Sequence, residues 1–356
     1  MKGVLVTTPQ RPFVSIVMPA LNEEQYIADA IASILPTAQS LNVELLVLDG
    51  GSSDGTRRVV EKLATEDGRI KLLQNERRIQ SAGVNIAADV CDERAGVLVR
   101  ADCHATYPPD FVKRCVKTLM NTQSSSVVVP MRAVGRTALQ RAIAAAQNSR
   151  LGNGGSQHRM SGYSGYVDHG HHAAFHLSIF RMLGGYDETA PYNEDAEFDA
   201  RLIGSGGRIY LDGSLTIDYY PRASLTALAA QYYRHGWGRA NTTLKHSQIP
   251  RLRQGLPVVV LLTCVAGLAS VPFSGAFGLL PLATYGFACL LWSATFAVHS
   301  RDSALLLAGP AAMTMHMSWA TGFLARLIEQ LRGKLTDNRD GVLGRLRRTA
   351  RANRVS

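Results

Sequence analysis

Apolar and polar positions alternate between two periods along the first hundred residues. Residues 13–19, FVSIVMP, form a short apolar run closed by proline, which reads as a strand. Asn22 then stands before Glu23 and Glu24, and Ile27, Ala30, Ile31 and Ile34 follow at helical spacing, so an N-capped amphipathic helix is expected there. Residues 43–48 (VELLVL) give the next strand, 49–56 (DGGSSDGT) a turn and 56–64 a helix. Residues 70–73, 80–90 and 96–100 repeat the cycle as strand, helix and strand. Alternation of this kind predicts an α/β domain with a parallel sheet covered on both faces. Ligands in such sheets bind beyond the carboxyl ends of the strands, so the loops to inspect are 20–24, 49–56 and 101–109.

The pattern changes after residue 250. Residues 256–299 carry almost no charge, Arg301 and Asp302 interrupt, and 303–325 is apolar again. Each stretch competes for a bilayer span. The chain is therefore expected to hold a front domain over 1–250, two or three membrane-associated helices over 251–330, and a basic tail over 331–356. Three spans from a cytoplasmic front leave that tail outside, against the positive-inside tendency; Pro257, Pro272, Pro281 and Pro310 allow a re-entrant element instead.

Charge sharpens this picture. The net charge is +10, and Arg326, Arg332, Lys334, Arg339, Arg345, Arg347, Arg348, Arg351 and Arg354 gather near the end. A basic tail after apolar segments suits anionic lipid on a cytoplasmic face. No recognition motif supports nucleic-acid binding. Residues 1–11 lack the apolar core of a secretory leader, and five cysteines without CxxC spacing fit a reducing compartment, so the front domain is expected in the cytoplasm. The 49–56 turn has neither the GxGxxG pattern of nicotinamide enzymes nor the lysine of a P-loop. What it offers is Asp49 at a strand end, with backbone N–H groups beside it.

The segments VSIVMPALNEEQYIADAIASI and VLDGGSSDGT resemble the opening of the family 2 glycosyltransferases, which have the GT-A fold, a Rossmann-like and mostly parallel sheet. The resemblance implies a UDP-sugar donor, with Pro19, Ala20 and Glu23 lining the nucleotide pocket and Asp49 and Asp54 binding uridine. NERRIQSAGVNIA resembles the family's next nucleotide segment, with Arg78 and Asn85 as the matching residues. Residues 99–104, VRADCH, stand where the family has Asp-x-Asp, whose second Asp holds Mg²⁺ or Mn²⁺ against the diphosphate. Asp102 remains, Arg100 replaces the first Asp and lends its charge to the diphosphate, and His104 is either a second ligand or an ordinary loop histidine.

GGYDE followed by NED resembles the family's base-bearing helix. It implies that Asp195 is the base of an inverting transfer, with Glu194 positioning it. Arg159, closing the glycine-rich 151–159 loop, is a candidate for a diphosphate. QYYRHGWGR (231–239) is similar to a Gln-x-x-Arg-Trp element, so Arg234 and Trp237 form either a sugar platform or an interfacial helix face.

Most of residues 12–245 resemble the exopolysaccharide subgroup of the family. That subgroup implies transfer, of glucose in the first instance, to a polyprenyl-diphosphate-linked sugar at the bacterial inner membrane, with other assembly proteins as possible partners. A non-catalytic nucleotide-sugar scaffold, favoured only by the missing first Asp, and a processive synthase are the alternatives. VDHGHHAAFH (167–176) is expected as one strand, with His169 and His171 on one face and His172 and His176 on the other. On that reading Asp168, His169 and His171 border the substrate, and the four histidines cannot share one ion.

Overall fold

The structure is a computed structural model that describes residues 12–35, 41–155, 162–190, 192–247 and 252–352, with side chains to 333. Its first half follows the expected alternation: β1 (Phe13–Ala20), α1 (Ile27–Ile34), β2 (Val43–Asp49), α2 (Thr56–Glu66), β3 (Ile70–Gln74), α3 (Gln80–Val90) and β4 (Ala95–Arg100). There follow β5 (Ala105–Thr106), α4 (Phe111–Thr122), β6 (Ser126–Val129), β7 (Met131–Ala133), α5 (Ala138–Asn148), α6 (Arg150–Asn153), β8 (Gly165–Val167), β9 (His171–His176), α7 (Leu177–Met182) and α8 (Glu194–Gly204). The last elements are β10 (Ile209–Leu211), β11 (Ile217–Tyr219), α9 (Leu225–Lys245), α10 (Leu252–Ser274), α11 (Leu280–Ser300) and α12 (Ala308–Ala352).

The main sheet has the order β3-β2-β1-β4-β9-β6-β10-β8. Strands β3, β2, β1 and β4 run parallel, and β9 is antiparallel to both β4 and β6. Strand β1 lies in the middle of the parallel half, and its alternation fills both layers. Val14, Ile16 and Met18 pack under α1, α2 and α4, and Val17 joins Phe175, Phe180, Tyr186 and Phe198 on the other face. All seven residues of β2 are buried, the pattern of a strand covered on both sides. A small sheet, β5-β11-β7, stands beside the main one.

Two local expectations are corrected. Asn22 does not cap α1, which begins at Ile27; it adopts φ +56° and its side-chain oxygen accepts from Ser53 N at 2.8 Å, tying the first turn to the second. The histidine run is a strand only from His171, and β9 is bulged: Val127 pairs with Ala174 but Val128 with His172, leaving Ala173 as the extra residue. A bulge breaks the two-residue alternation, so His172 lies edge-on to Phe175, their ring centroids 4.8 Å apart.

The chain divides into two compact units, residues up to 225 with 288–312, and 226–287 with 313 onward. In the first, the 302–305 turn is bound to α5, where Arg141 Nε donates to Asp302 at 2.8 Å. In the second, α9 and α12 meet at Gly236 and Gly322, where a Cβ would strike the carbonyls of Trp319 and Tyr233. Trp237 Nε1 donates to Glu329 at 3.0 Å and Arg326 donates to Asn241 at 3.0 Å across the same pair. Among the described residues, Leu252–Ser300 is the one helical stretch apolar and long enough to cross a membrane, with mean hydropathy 2.2 and 6% of its most apolar window buried. The 303–325 stretch, expected to be a further span, does not qualify. Its small residues Ala308, Ala311, Ala312 and Ala320 are buried in the protein, and His316 and Trp319 interrupt the apolar run.

Candidate active site

The carboxyl ends of β1, β2 and β4 bring the first three loops together, because β1 pairs Ala20 with Asp49 and Val17 with Arg100. Asp49 is fully buried, and its carboxylate accepts from Gly51 N (3.1 Å), Ser52 N (3.2 Å) and Arg57 Nη1 (3.0 Å). Burial pushes its pKa up, but the Ser52, Arg57 and Gly51 hydrogen bonds outweigh that and hold it below the usual range. Gly51 sits at φ +82°, and the Arg78 guanidinium lies 3.5 Å from where its Cβ would be. Asp49 and Arg78 therefore border one loop, with Ala20 O accepting from Gly50 N at 2.8 Å and Pro19 O accepting from Cys103 Sγ at 3.2 Å.

Asp54 is placed differently. It is exposed, and its oxygens accept from Glu24 N (3.2 Å) and Thr56 N (3.0 Å), joining the two turns. Asn85 is not brought to the Asp49 loop. Its amide donates to Tyr186 O and to Glu188 Oε1, both at 2.9 Å, and accepts from Tyr186 N at 2.8 Å, so it braces the turn before α8.

The β4 loop joins this region to α8. Arg100 is 6% exposed. Its Nη2 lies 3.2 Å from Glu194 Oε1, its Nη1 donates to Tyr186 Oη at 3.2 Å, and its Nε is 3.7 Å from Asp102 Oδ1. Asp102 Oδ1 accepts from Gln80 Nε2 at 3.2 Å, and its Oδ2 is 3.3 Å from His171 Nε2. Burial raises the Asp102 pKa, and His171, Arg100 and His104 together lower it further than burial raises it. Burial drives His171 down to about 4. At neutral pH that ring is uncharged, and the Arg100 guanidinium beside Asp102 remains to favour its charged form. His104 Nδ1 pairs with Glu23 Oε1 at 3.2 Å; burial depresses its pKa, but the Glu23 and Asp102 carboxylates raise it above the ordinary value.

Glu194 and Asp195 open α8, where the helix dipole favours negative charge. Burial raises Glu194. For Asp195 burial acts the same way, but His169, His172, Arg100 and His171 surround it and the net shift is strongly downward. Asp199, one turn further on, is 1% exposed and shared: His169 Nδ1 meets one oxygen and His172 Nε2 the other, both at 2.8 Å. His172 Nδ1 continues to Tyr186 Oη at 2.6 Å. His169 thus pairs with His172, not with His171 as strand alternation predicted, because it precedes β9, which begins only at His171.

Asp168 follows β8 and is exposed. Arg159 lies outside the described residues. Arg234 is exposed on α9, and the Trp237 indole is engaged with Glu329 and under Arg326, so both belong to the α9–α12 unit.

Among the described residues no three His, Cys, Asp or Glu groups form a closed metal cage. Asp102 nonetheless fits a hard divalent ion of the kind that takes one or two protein ligands and fills its shell with phosphate oxygens and water. It is an ionised carboxylate at a strand end, oriented by Gln80, with an uncharged imidazole beside it.

Comparison with known proteins matches this architecture. The model of glycosyl transferase family 2 covers residues 15–184. The succinoglycan biosynthesis protein ExoA of Rhizobium meliloti (strain 1021) is 42% identical over 314 residues, spanning 88% of this chain and 94% of that protein. The chain belongs to glycosyl transferase family 2. A Methanococcus voltae relative of this glycosyltransferase is a dolichyl N-acetyl-α-D-glucosaminyl phosphate 3-β-D-2,3-diacetamido-2,3-dideoxy-β-D-glucuronosyltransferase. It is 25% identical over 236 residues, 63% of this chain and 72% of that one. The mannosyltransferase PcManGT of Pyrobaculum calidifontis, solved with GDP-Man and Mn²⁺, shares the GT-A fold with a TM-score of 0.55 at 18% identity, covering 90% of this chain and 88% of that one.

Sequence reasoning did not single out three residues that the structure brings to this candidate site. Asp199 carried a signal, since it lies one helical turn from Asp195. Gln80 and the Tyr186 hydroxyl carried none, because their role arises only when α3 and the 184–188 turn fold over β4.

Proposed function

We propose that this enzyme transfers a sugar, glucose in the first instance, from a UDP-linked donor to a lipid-linked saccharide during exopolysaccharide assembly, with inversion at the anomeric carbon. The succinoglycan role in the R. meliloti relative's name and the dolichyl-linked substrate in the M. voltae relative's name support this reading. The observation that carries it is the Arg100–Glu194 contact at 3.2 Å, which joins the donor loop after β4 to the start of α8.

Asp49, with Arg78, Pro19, Ala20 and Glu23 around it, receives the nucleoside. Asp102 would hold a divalent ion, Mg²⁺ or Mn²⁺, which would supply positive charge to the departing diphosphate. Arg100, buried and always charged, adds to that field from the side of α8. Asp195 accepts the proton of the acceptor hydroxyl as its oxygen attacks opposite the diphosphate. The depressed pKa of Asp195 keeps it ionised at physiological pH, the state in which it can take that proton. His169, His172 and Asp199 fix the wall behind it.

The domain plan of this proposal is a catalytic front over 1–250, membrane-associated helices over 251–330 and a basic tail over 331–356. Leu252–Ser300 seats the enzyme in the bacterial inner membrane. Its far end is held to the catalytic unit by Arg141 and Asp302. Helix α12 lies against α9, which carries polar and charged residues along its length, so α12 does not cross the bilayer. On this proposal the apolar stretch enters and leaves on one face of the bilayer, the cytoplasmic one, and the basic tail is on that side as well.

The test is transfer of labelled sugar from a set of nucleotide donors into a bacterial lipid extract, by the full chain and by Asp195→Asn. We expect UDP-glucose to label lipid, and the variant to lose about 10²–10⁴-fold in rate while still binding UDP. Normal turnover by Asp195→Asn refutes the base assignment. Failure of every donor with the native chain refutes the transfer itself.

A further inference from the structure

We infer that His171 is a second protein ligand of the divalent ion, beside Asp102. This rests on the metal-assisted reading above and goes beyond it by assigning a ligand on β9. Three observations point to His171 and away from its competitors.

The first is position. Asp102 is held by both backbone and side chain: its carbonyl accepts from Tyr107 Oη at 3.2 Å and its Oδ1 accepts from Gln80 Nε2 at 3.2 Å. That leaves Oδ2 directed at His171 Nε2, 3.3 Å away. Two neighbouring ligands on an octahedral ion with bonds of about 2.1 Å are about 3 Å apart. The observed separation of 3.3 Å is within a few tenths of an ångström of that spacing. His171 opens β9 and pairs with Val129 of β6, so a strand holds it rather than a loop.

The second is the occupation of the alternatives. Arg100, at the position of the first Asp, cannot ligate, and its guanidinium is turned to Tyr186 and Glu194. His104 is only two residues from Asp102, but its Nδ1 is on Glu23 at 3.2 Å and its ring lies edge-on to Tyr219 at 5.3 Å. His172, next to His171, has both ring nitrogens engaged, by Tyr186 and by Asp199.

The third is ligand chemistry. One carboxylate and one imidazole, completed by diphosphate oxygens and water, suit Mn²⁺ better than Mg²⁺, which prefers oxygen. The inference therefore includes tighter binding of Mn²⁺ than of Mg²⁺.

The experiment is Mn²⁺ binding by the full chain in detergent with UDP present, followed by electron paramagnetic resonance, including detection of nitrogen coupled to the manganese. The native chain, Asp102→Asn, His171→Gln and His104→Gln are compared, and UDP affinity and melting temperature are measured for each. We expect one Mn²⁺ with an imidazole nitrogen signal in the native chain. Asp102→Asn abolishes binding. His171→Gln weakens it at least tenfold and removes the nitrogen signal. His104→Gln keeps the nitrogen signal; a tenfold change in binding corresponds to about 1.4 kcal/mol. A native-like nitrogen signal in His171→Gln overturns the inference while leaving the metal reading intact. No Mn²⁺ binding by the native chain, with UDP still bound, overturns both.

Discussion

The Tyr186 hydroxyl is where support for the site can be measured apart from its chemistry. Tyr186→Phe removes one oxygen and no ring, so packing against Phe175, Phe180 and Phe198 is retained. Two hydrogen bonds are lost: the one from Arg100 Nη1 at 3.2 Å and the one with His172 Nδ1 at 2.6 Å. A bond to a charged group contributes about 1.5–3 kcal/mol and one between neutral groups about 1 kcal/mol, and both partners stay buried without a replacement. The expected destabilisation is therefore about 2–4 kcal/mol, or a fall of about 3–5 °C in melting temperature for a chain of this size. Arg100 keeps Glu194 and Asp102, so the loss in kcat should stay below about tenfold, far short of that for Asp195→Asn. Pairing the change with His172→Phe in a double-mutant cycle should give a coupling of about 1–2 kcal/mol, since the two residues share a bond. The assay is thermal and urea unfolding of the full chain in detergent, with donor turnover measured alongside. A variant melting within about 1 °C of the native chain would refute the view that this hydroxyl bears the buried network.

Three further outcomes follow from particular contacts. His171 has its pKa depressed to about 4 and His176 is shifted the same way, so the unfolded chain takes up these protons first; stability is complete above about pH 6.5 and falls as pH drops toward 4. Urea midpoints of the metal-free chain should show this slope, and His171→Gln should reduce it; an unchanged slope would contradict the burial of a neutral ring. Gly236→Val and Gly322→Val each drive a side chain into the facing carbonyl, so either should separate α9 from α12 and cost about 3 kcal/mol or more, read as a lower melting temperature, whereas native stability would show that the helices do not touch there. A cysteine placed at Ser356 should react with a membrane-impermeant maleimide in sealed inverted vesicles as readily as one placed at Arg58 in the exposed start of α2, and protection of the tail alone would refute the same-side topology.

The parallel half of the fold was legible because its signals are local. Strands β1 to β4 and helices α1 to α3 each carry their own period, and α3 spans Gln80–Val90 as the pattern predicted. The positions of Asp49, Asp102, Glu194 and Asp195 were also legible, each being a polar residue at or just beyond the end of a regular element. The remainder depends on contacts between distant segments. Asn85 resembles a nucleotide contact in sequence, yet a partner 101 residues away takes its amide, and nothing in the α3 pattern reports that. The histidine run shows the limit most directly. Alternation correctly separates His171 from His172, but it assumes an unbroken strand, and the extra residue Ala173 becomes a bulge only because β6 pairs around it. That one residue sends His172 into the aromatic cluster with Tyr186 and leaves His171 facing Asp102. His169 joins His172 on Asp199 from the loop before β9, a placement that strand alternation does not reach because the strand begins only at His171.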